Sequence, residues 1–353
     1  MAKKPFLGID IGYDSMKLAL VIGQQVKKTV TVPMPQNLVK EGRVVSVETM
    51  GDLIRSTMKE NGIRCSNGAL VLPNEVVFVR NVVMPRMTAD QLSYNLPYEF
   101  RDYITEELKD YVFDYAMLST PEELKSSKKK EKNDPTPAEP QEPAEEETAG
   151  QTMEVMAAAV PVSLIEESRA MLRKAGIKLI KAAPAVCCYI PLIRALEAKA
   201  EKPGEYCILD LGYQSIRMYM FRGDRHMVTR VLEIGLSSID NVIADAYNVD
   251  IHLAHTYLLT NYEDCLNKEF CQNAYSNIAV ELMRALNFYR FSNPDSQLAD
   301  VWLCGGGAVI GPLQQAVAVT LDMQIHQAAE LLPGAGDLED GNSMIQAIGV
   351  TMY

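Results

Sequence analysis

The sequence has no surplus of positive charge: its 353 residues hold 34 Lys and Arg against 46 Asp and Glu, a formal net charge of −12. Nucleic acid and anionic lipid repel such a chain, so neither is expected as a direct partner. No apolar run approaches the length needed to cross a bilayer. The apolar stretch after Met1 to Lys4 is cut by Asp10 and lacks a cleavage pattern, so no signal peptide is expected. There is no C-x-x-C. The cysteines (Cys65, Cys187, Cys188, Cys207, Cys265, Cys271 and Cys304) are odd in number and mostly in apolar surroundings. That pattern predicts buried thiols in a reducing compartment and excludes a disulfide frame or a zinc site. His252 and His255 lack the H-E-x-x-H context of a metal helix and read as exposed helix histidines. No Ser-His-Asp or Cys-His arrangement has support.

What is present is an ordinary globular composition, 48% hydrophobic and 23% charged, at a length suited to two lobes. Residues 6–11, 16–22 and 26–32 read as strands joined by tight turns, and 46–61 has helical spacing stopped by Gly62. Strands are expected at 69–72, 76–83, 112–118 and 153–160. Thr88 followed by Gln91 is a capping-box pattern opening a helix. Residues 126–150, rich in Lys, Pro and Glu, hold too little apolar surface to offset the entropy of ordering, so a disordered inserted loop is expected. A helix over 162–175, a strand over 178–182 and a helix over 185–198 follow. The opening pattern then returns, with strands at 206–211, 215–221 and 226–234. Helices are expected through 237–289, a buried strand at 300–303, and a small-residue helix over 345–352.

Residues 10–20 read D-I-G-Y-D-S-M-K-L-A-L, and residues 210–220 read D-L-G-Y-Q-S-I-R-M-Y-M. Asp, Gly, Tyr and Ser recur in register, and Lys17 recurs as Arg217. Two copies in matching strand–turn–strand context indicate a duplication. Without a Cβ, Gly12 and Gly212 let the turn backbone approach a phosphate, and successive turn N–H groups form an anion nest. Asp10 and Asp210, at strand ends, can orient a hydrated Mg²⁺ through water. Ser15 and Ser215 add hydroxyl donors. Asp14, found in the first copy alone, reads either as a sensor of phosphate or metal or as a solvated turn acid. Gly305, Gly306 and Gly307 follow a buried strand and would let an adenosine lie against backbone, or simply form a tight strand-to-helix turn.

These three elements, in this order and spacing, resemble the two phosphate motifs and the adenosine motif of the actin, Hsp70 and sugar-kinase superfamily. Within it, M-T-A-D-Q-L-S-Y-N-L-P-Y-E-F-R-D-Y-I (87–104), V-F-D-Y-A-M-L (112–118), M-E-V-M-A-A-A-V-P (153–161), L-R-K-A-G-I-K (172–178) and Q-A-I-G-V (346–350) are similar to the PilM family of cytoplasmic, actin-like proteins of type IV pilus assembly. The resemblance implies an α/β, two-lobed, actin-like ATPase fold (duplicated RNase H-like) with an FtsA-type subdomain 1C. The expected division is 1–86 in subdomain 1A, 87–182 in 1C with the loop 126–150, 183–204 as a 1A helix and hinge, 205–235 in 2A, 236–299 in 2B, and 300–353 in 2A with the closing helix. It implies ATP and Mg²⁺ held by Asp10, Gly12, Tyr13, Asp14, Ser15, Lys17, Asp210, Gly212, Tyr213, Gln214, Ser215, Gly235, Gly305, Gly306 and Gly307.

The resemblance further implies docking of the short cytoplasmic N-terminal peptide of a PilN-like inner-membrane protein in a groove between 1A and 1C. Tyr94, Tyr98, Phe100 and Tyr103 are expected to line part of that groove, against the plainer reading of a helix packed on its own subdomain. Other assembly-platform and motor proteins, and self-association, are further expected contacts. The implied location is the cytoplasm, at the inner face of the membrane through partners. Three positions depart from the family pattern: Ala183 before Pro184 where relatives carry an acid, His255 in place of a helix glutamate, and Leu236 after Gly235 in place of a second glycine. The first departure weakens the case for hydrolysis and the other two weaken that for tight nucleotide binding, while the phosphate hairpins themselves are intact. A slow ATPase is the first alternative. A small-molecule kinase of the same superfamily should show a catalytic Asp in a substrate motif, and none is found. A cell-division tether like FtsA should end in a basic amphipathic membrane helix, whereas this sequence ends at Thr351-Met352-Tyr353.

Overall fold

The computed structural model describes residues 4–118, 152–198, 203–332 and 341–352, and the elements below are those of the described residues. The expected loop 126–150 lies outside them. The chain divides into two compact units, Met1–Pro73 with Ser168–Tyr353, and Asn74–Glu167.

In the first unit the duplication seen in sequence is a duplication of topology. β1 (Pro5–Ile11), β2 (Ser15–Ile22), β3 (Gln25–Pro33), β6 (Asn67–Leu72) and β10 (Lys178–Pro184) form one sheet in the order β10-β6-β1-β2-β3. β11 (Glu205–Leu211), β12 (Ile216–Arg222), β13 (Arg225–Leu232), β14 (Asp300–Cys304) and β15 (Gln324–Gln327) form the other in the matching order β13-β12-β11-β14-β15. In each, the first strand pairs antiparallel with the second and parallel with a later one. Asp10 lies opposite Lys17 in one ladder and Asp210 opposite Arg217 in the other. The alternating and continuous apolar runs explain the strands: Leu7, Ile9, Leu18, Leu209, Leu211 and Met218 are buried on sheet faces. Parallel pairing needs crossover connections, and helices supply them.

The helices end where the sequence stops them. α1 (Val47–Glu60) begins at Ser46, whose side chain accepts from the Thr49 N–H, and Gly62 follows it at φ +65°. α4 (Ala185–Glu197) and the closing helix α9 (Gly341–Met352) pack against each other without room for a side chain between them. A Cβ at Gly349 would lie 2.1 Å from the Cys188 carbonyl oxygen, and one at Gly8 of β1 would lie 1.7 Å from that of Ala347. The second sheet packs on α5 (Ser237–Tyr247), α6 (Ile251–Thr260), α7 (Glu269–Ser292) and α8 (Gly311–Leu321) around Leu209, Met218, Ile239, Ile278, Leu282 and Leu303. Trp302, the sole tryptophan of the chain, sits on that sheet between Tyr206, 5.2 Å away, and a stacked His326 at 4.9 Å.

The second unit is a three-stranded antiparallel sheet, β7 (Phe78–Pro85), β9 (Thr152–Pro161) and β8 (Tyr111–Met117), with β9 central. α2 (Ala89–Asn95) opens with both hydrogen bonds of the Thr88–Gln91 capping box and continues into a 3₁₀ turn, Leu96–Phe100. Val82, Met84, Leu92, Leu96, Phe100, Val155 and Ala157 form its core. The sequence-expected segment 87–182 differs from this unit at both edges for a pairing reason. β7 is a strand of this sheet, whereas Lys178–Pro184 pairs with β6 in the first unit. α3 (Val162–Lys174) runs across the division at 167/168. The short hairpin β4 (Val39–Lys40) with β5 (Arg43–Val44), and β15, were not legible in the sequence.

Candidate functional site

Both D-x-G turns lie in the first unit, and their acids come close enough to act on one another. Lys17 reaches back along the first hairpin to Asp10, Nζ to Oδ2 3.7 Å, with both side chains largely buried. Burial pushes the Asp10 carboxyl above its usual range; Lys17 works against that push, and Asp210 and Asp14 add to it. Burial also opposes the Lys17 ammonium, but Asp10, Asp14 and Asp210 outweigh it and hold its pKa above the ordinary value. The centre is therefore one firmly protonated ammonium among three carboxylates.

The two turns are built differently. In the first, Gly12 N–H donates to the Ser15 carbonyl at 2.9 Å, and a Cβ at Gly12 would stand 3.0 Å from that same oxygen and 3.8 Å from Lys17 Nζ. In the second, Gly212 N–H turns back to the Asp210 carbonyl at 3.0 Å. The carbonyls of Gly212 and Tyr213 accept from Leu236 and Ser237 N–H at 3.1 and 2.9 Å, tying the turn to the start of α5. Gly235 makes that junction fit: its Cβ would lie 2.4 Å from the Tyr213 carbonyl and 2.8 Å from that of Gly212. Gly235 thus packs against the second turn's own backbone.

The glycine run after β14 closes on the same centre. Gly305 adopts φ +83° and ψ −179°, a region glycine alone adopts readily. Its Cβ would meet Asp210 Oδ1 at 2.5 Å. A Cβ at Gly306 would lie 3.9 Å from Asp14 Oδ2, which joins the third motif to the first hairpin. Gly307 packs on Leu211 and Leu236.

Two partners of the second hairpin had no sequence signal. Asp210, itself buried, accepts at Oδ2 from Gln346 Nε2 at 2.8 Å. Asp240, 0% exposed, receives His255 Nδ1 at 2.8 Å, and the His255 ring meets Tyr213 edge-on at 5.5 Å. Hydrogen bonding to Asp240 raises the His255 pKa against the opposing effect of its burial. The reading of His255 as an exposed helix histidine is corrected: the spacing of a helix face does not show that a buried acid stands behind it.

The arrangement fits a polyphosphate only together with a cation. Three carboxylates around one lysine repel a bare polyanion, whereas a divalent ion between them reverses that sign. Among the described residues no three His, Cys, Asp or Glu side chains are grouped to hold a metal.

The aromatic residues singled out in the second unit divide into two groups. Tyr94 is 72% exposed, and Tyr98 and Tyr103 are also largely open. Tyr94 and Tyr98 meet at 6.0 Å, the Arg101 guanidinium lies over Tyr98, and that of Arg80 lies 3.8 Å over Tyr103. Phe100 does not belong with them. It is fully buried, 5.5 Å from Phe113, in the core of the second unit with Leu92 and Leu96. The cysteines are free thiols, and all but the half-buried Cys65 are buried. Among the described residues no helix is long and apolar enough to cross a membrane.

Duplicated five-stranded sheets with facing D-x-G turns define this as a protein of the actin-like ATPase fold, with a second unit, Asn74–Glu167, inserted in the chain. The sequence matches the family model described as type IV pilus assembly protein PilM over residues 8–131 and 142–331, and the chain belongs to that family. Among solved structures it is similar to one described as the PilM–PilN type IV pilus biogenesis complex, with 23% identity and a TM-score of 0.77 over 98% of this chain and 96% of that one. It is more distantly similar to ethanolamine utilization protein EutJ from Carboxydothermus hydrogenoformans, with 10% identity and a TM-score of 0.59 over 100% of this chain and 91% of that one. No curated protein matches the sequence.

Proposed function

We propose that this chain is an ATP-binding scaffold of the pilus-assembly platform, or of a related secretion or competence machine, that docks the cytoplasmic N-terminal peptide of a PilN-like inner-membrane protein. The observation that carries the nucleotide reading is the centre itself: Lys17, 3.7 Å from Asp10 and close to the Gly12 turn, is held protonated by Asp10, Asp14 and Asp210. In this reading Lys17 and the turn backbones at 12–15 and 212–215 hold the phosphates, and Asp10 and Asp210 orient water on Mg²⁺. The run 305–307 receives the adenosine. Gly235 serves indirectly, by seating the second turn. When bound, Mg²⁺ supplies charge neutralisation between carboxylates and phosphates.

The peptide reading is supported by family membership and by the complex named for the similar structure. The exposed Tyr94, Tyr98 and Tyr103 with their stacked arginines offer an aromatic, cationic surface for it. The location that follows is cytoplasmic, at the inner membrane through that partner. Scaffolding requires binding and conformational bias, without turnover.

The test is titration of nucleotide-stripped protein with ATP, with and without Mg²⁺, followed by titration of the PilN-type peptide in each state. Mg²⁺-dependent ATP binding and tighter peptide binding in the loaded state are expected. Equal peptide affinity in both states would sink the coupling. Rapid phosphate release, lost in Asp210→Asn, would favour the ATPase reading.

A further inference from the structure

We infer that Gln346 is a positioning residue that relays occupancy of the cleft to the two helices joining the sheets. The inference rests on the nucleotide reading above and names how that site is coupled to the rest of the unit. Gln346 Nε2 donates at 2.8 Å to Asp210 Oδ2 and at 2.8 Å to Tyr189 Oη. The Tyr189 hydroxyl in turn pairs with Cys304 Sγ at 3.4 Å. One amide of α9 thus joins the aspartate of the second hairpin, a tyrosine of α4 and the last residue of β14.

Every member of this chain of contacts is buried: Tyr189 and Cys304 completely, Asp210 and Gln346 nearly so. Burial first, then Cys304 and Asp210, pushes the Tyr189 hydroxyl well above its usual pKa, so it stays a neutral donor and acceptor. A buried amide that loses a partner exposes nothing to water and is costly to leave unmatched. Asp210 Oδ2 is thus taken by the amide, while Oδ1 lies close enough to Gly305 that a Cβ there would stand 2.5 Å from it. Water or metal arriving at this carboxylate must share it with Gln346. Tyr189 packs 5.0 Å from Tyr219 of β12, so its own movement is felt in the second sheet. The flush crossing of α9 on α4 at Gly349 leaves little slack to absorb a shift.

Full-length protein stripped of nucleotide, then loaded with ATP and Mg²⁺, provides the test, with backbone hydrogen exchange read over α4 and α9. Loading is expected to slow exchange there by about tenfold in the wild type. Gln346→Met keeps the volume and removes the amide. It is expected to retain ATP affinity within about threefold while the slowing falls below about twofold. Slowing equal to wild type in this variant overturns the inference. If Gln346→Met does not fold, Tyr189→Phe carries the test, since it removes one hydroxyl and keeps the ring packing. Slowing cut by about half is expected there, and unchanged slowing overturns the relay. A wild type that binds no ATP overturns the cleft reading and the relay with it. Failure of the relay alone leaves ATP bound and the variants indistinguishable from wild type.

Discussion

The two D-x-G hairpins share sequence, register and sheet order, yet their aspartates are held by different means. Asp10 is held by a charge from its own hairpin, Lys17. Asp210 is held by a neutral amide 136 residues away in sequence, Gln346, and its turn is tied to α5 through Leu236 and Ser237. Duplication supplied two copies of one anion-holding turn. Divergence then left one as the electrostatic half and made the other the half fastened to the connecting helices. The lesson is that a repeated motif fixes backbone geometry, while the surrounding helices decide what each copy does with it.

The sharpest way to break this contrast is Lys17→Met. It removes the cation of the first copy and strands a buried carboxylate, for an expected loss of about 3 kcal/mol in chemical denaturation together with loss of ATP binding. A variant that still binds ATP as wild type does would remove Lys17 from the site. Gly305→Ala attacks the second copy alone. Its positive φ and the 2.5 Å approach of the new methyl to Asp210 predict a cost of about 2 kcal/mol, read from the same denaturation curves.

His255→Gln tests a support that belongs to the second copy. The folded-state pKa of His255 is raised above 6.5. Its pairing with Asp240 is therefore fully stabilising below that value and is lost as pH rises through the raised one. Stability in that window should fall by about 1 kcal/mol in the wild type and stay flat in the variant. His226, held down to about 4 by burial, acts in the opposite sense and only below 6.5, so the two histidines can be separated by pH. Asp10→Asn has the smallest expected effect and the opposite sign. Burial raises this carboxyl, so its charge costs stability as pH rises above the ordinary 3.8 through the raised value. The apo variant should melt slightly higher at neutral pH, by less than about 1 kcal/mol, while its Mg²⁺-dependent ATP binding weakens. An apo protein less stable than wild type would show that Asp10 serves the fold.

Much of the fold was legible, because its signals are local. Strand alternation, the Thr88 capping box, the glycine stops and the repeat at 10–20 and 210–220 are all read within a short window. The candidate site was legible at its glycines, acids and lysine for the same reason. What the sequence hid depends on distant neighbours. Gln346 lay inside a recognised family motif with nothing to say that its amide meets Asp210. Asp240 looked like any helix acid until His255 was brought to it. Phe100 shares its stretch with three tyrosines, yet it joins Leu92 and Leu96 in the core while they face out. The edges of the second unit differ from the expected 87–182 because a strand's sheet is decided by its partner, which spacing alone does not reveal.

The placement of Trp302 has a practical consequence. It is the chain's only indole and stands on β14 between Tyr206 and His326, two residues before the cysteine that contacts Tyr189. Its near-ultraviolet emission is thus an optical label built into the second sheet and absent from the first. Melting of the second sheet can thus be followed in unlabelled protein and set against the circular dichroism of the whole chain.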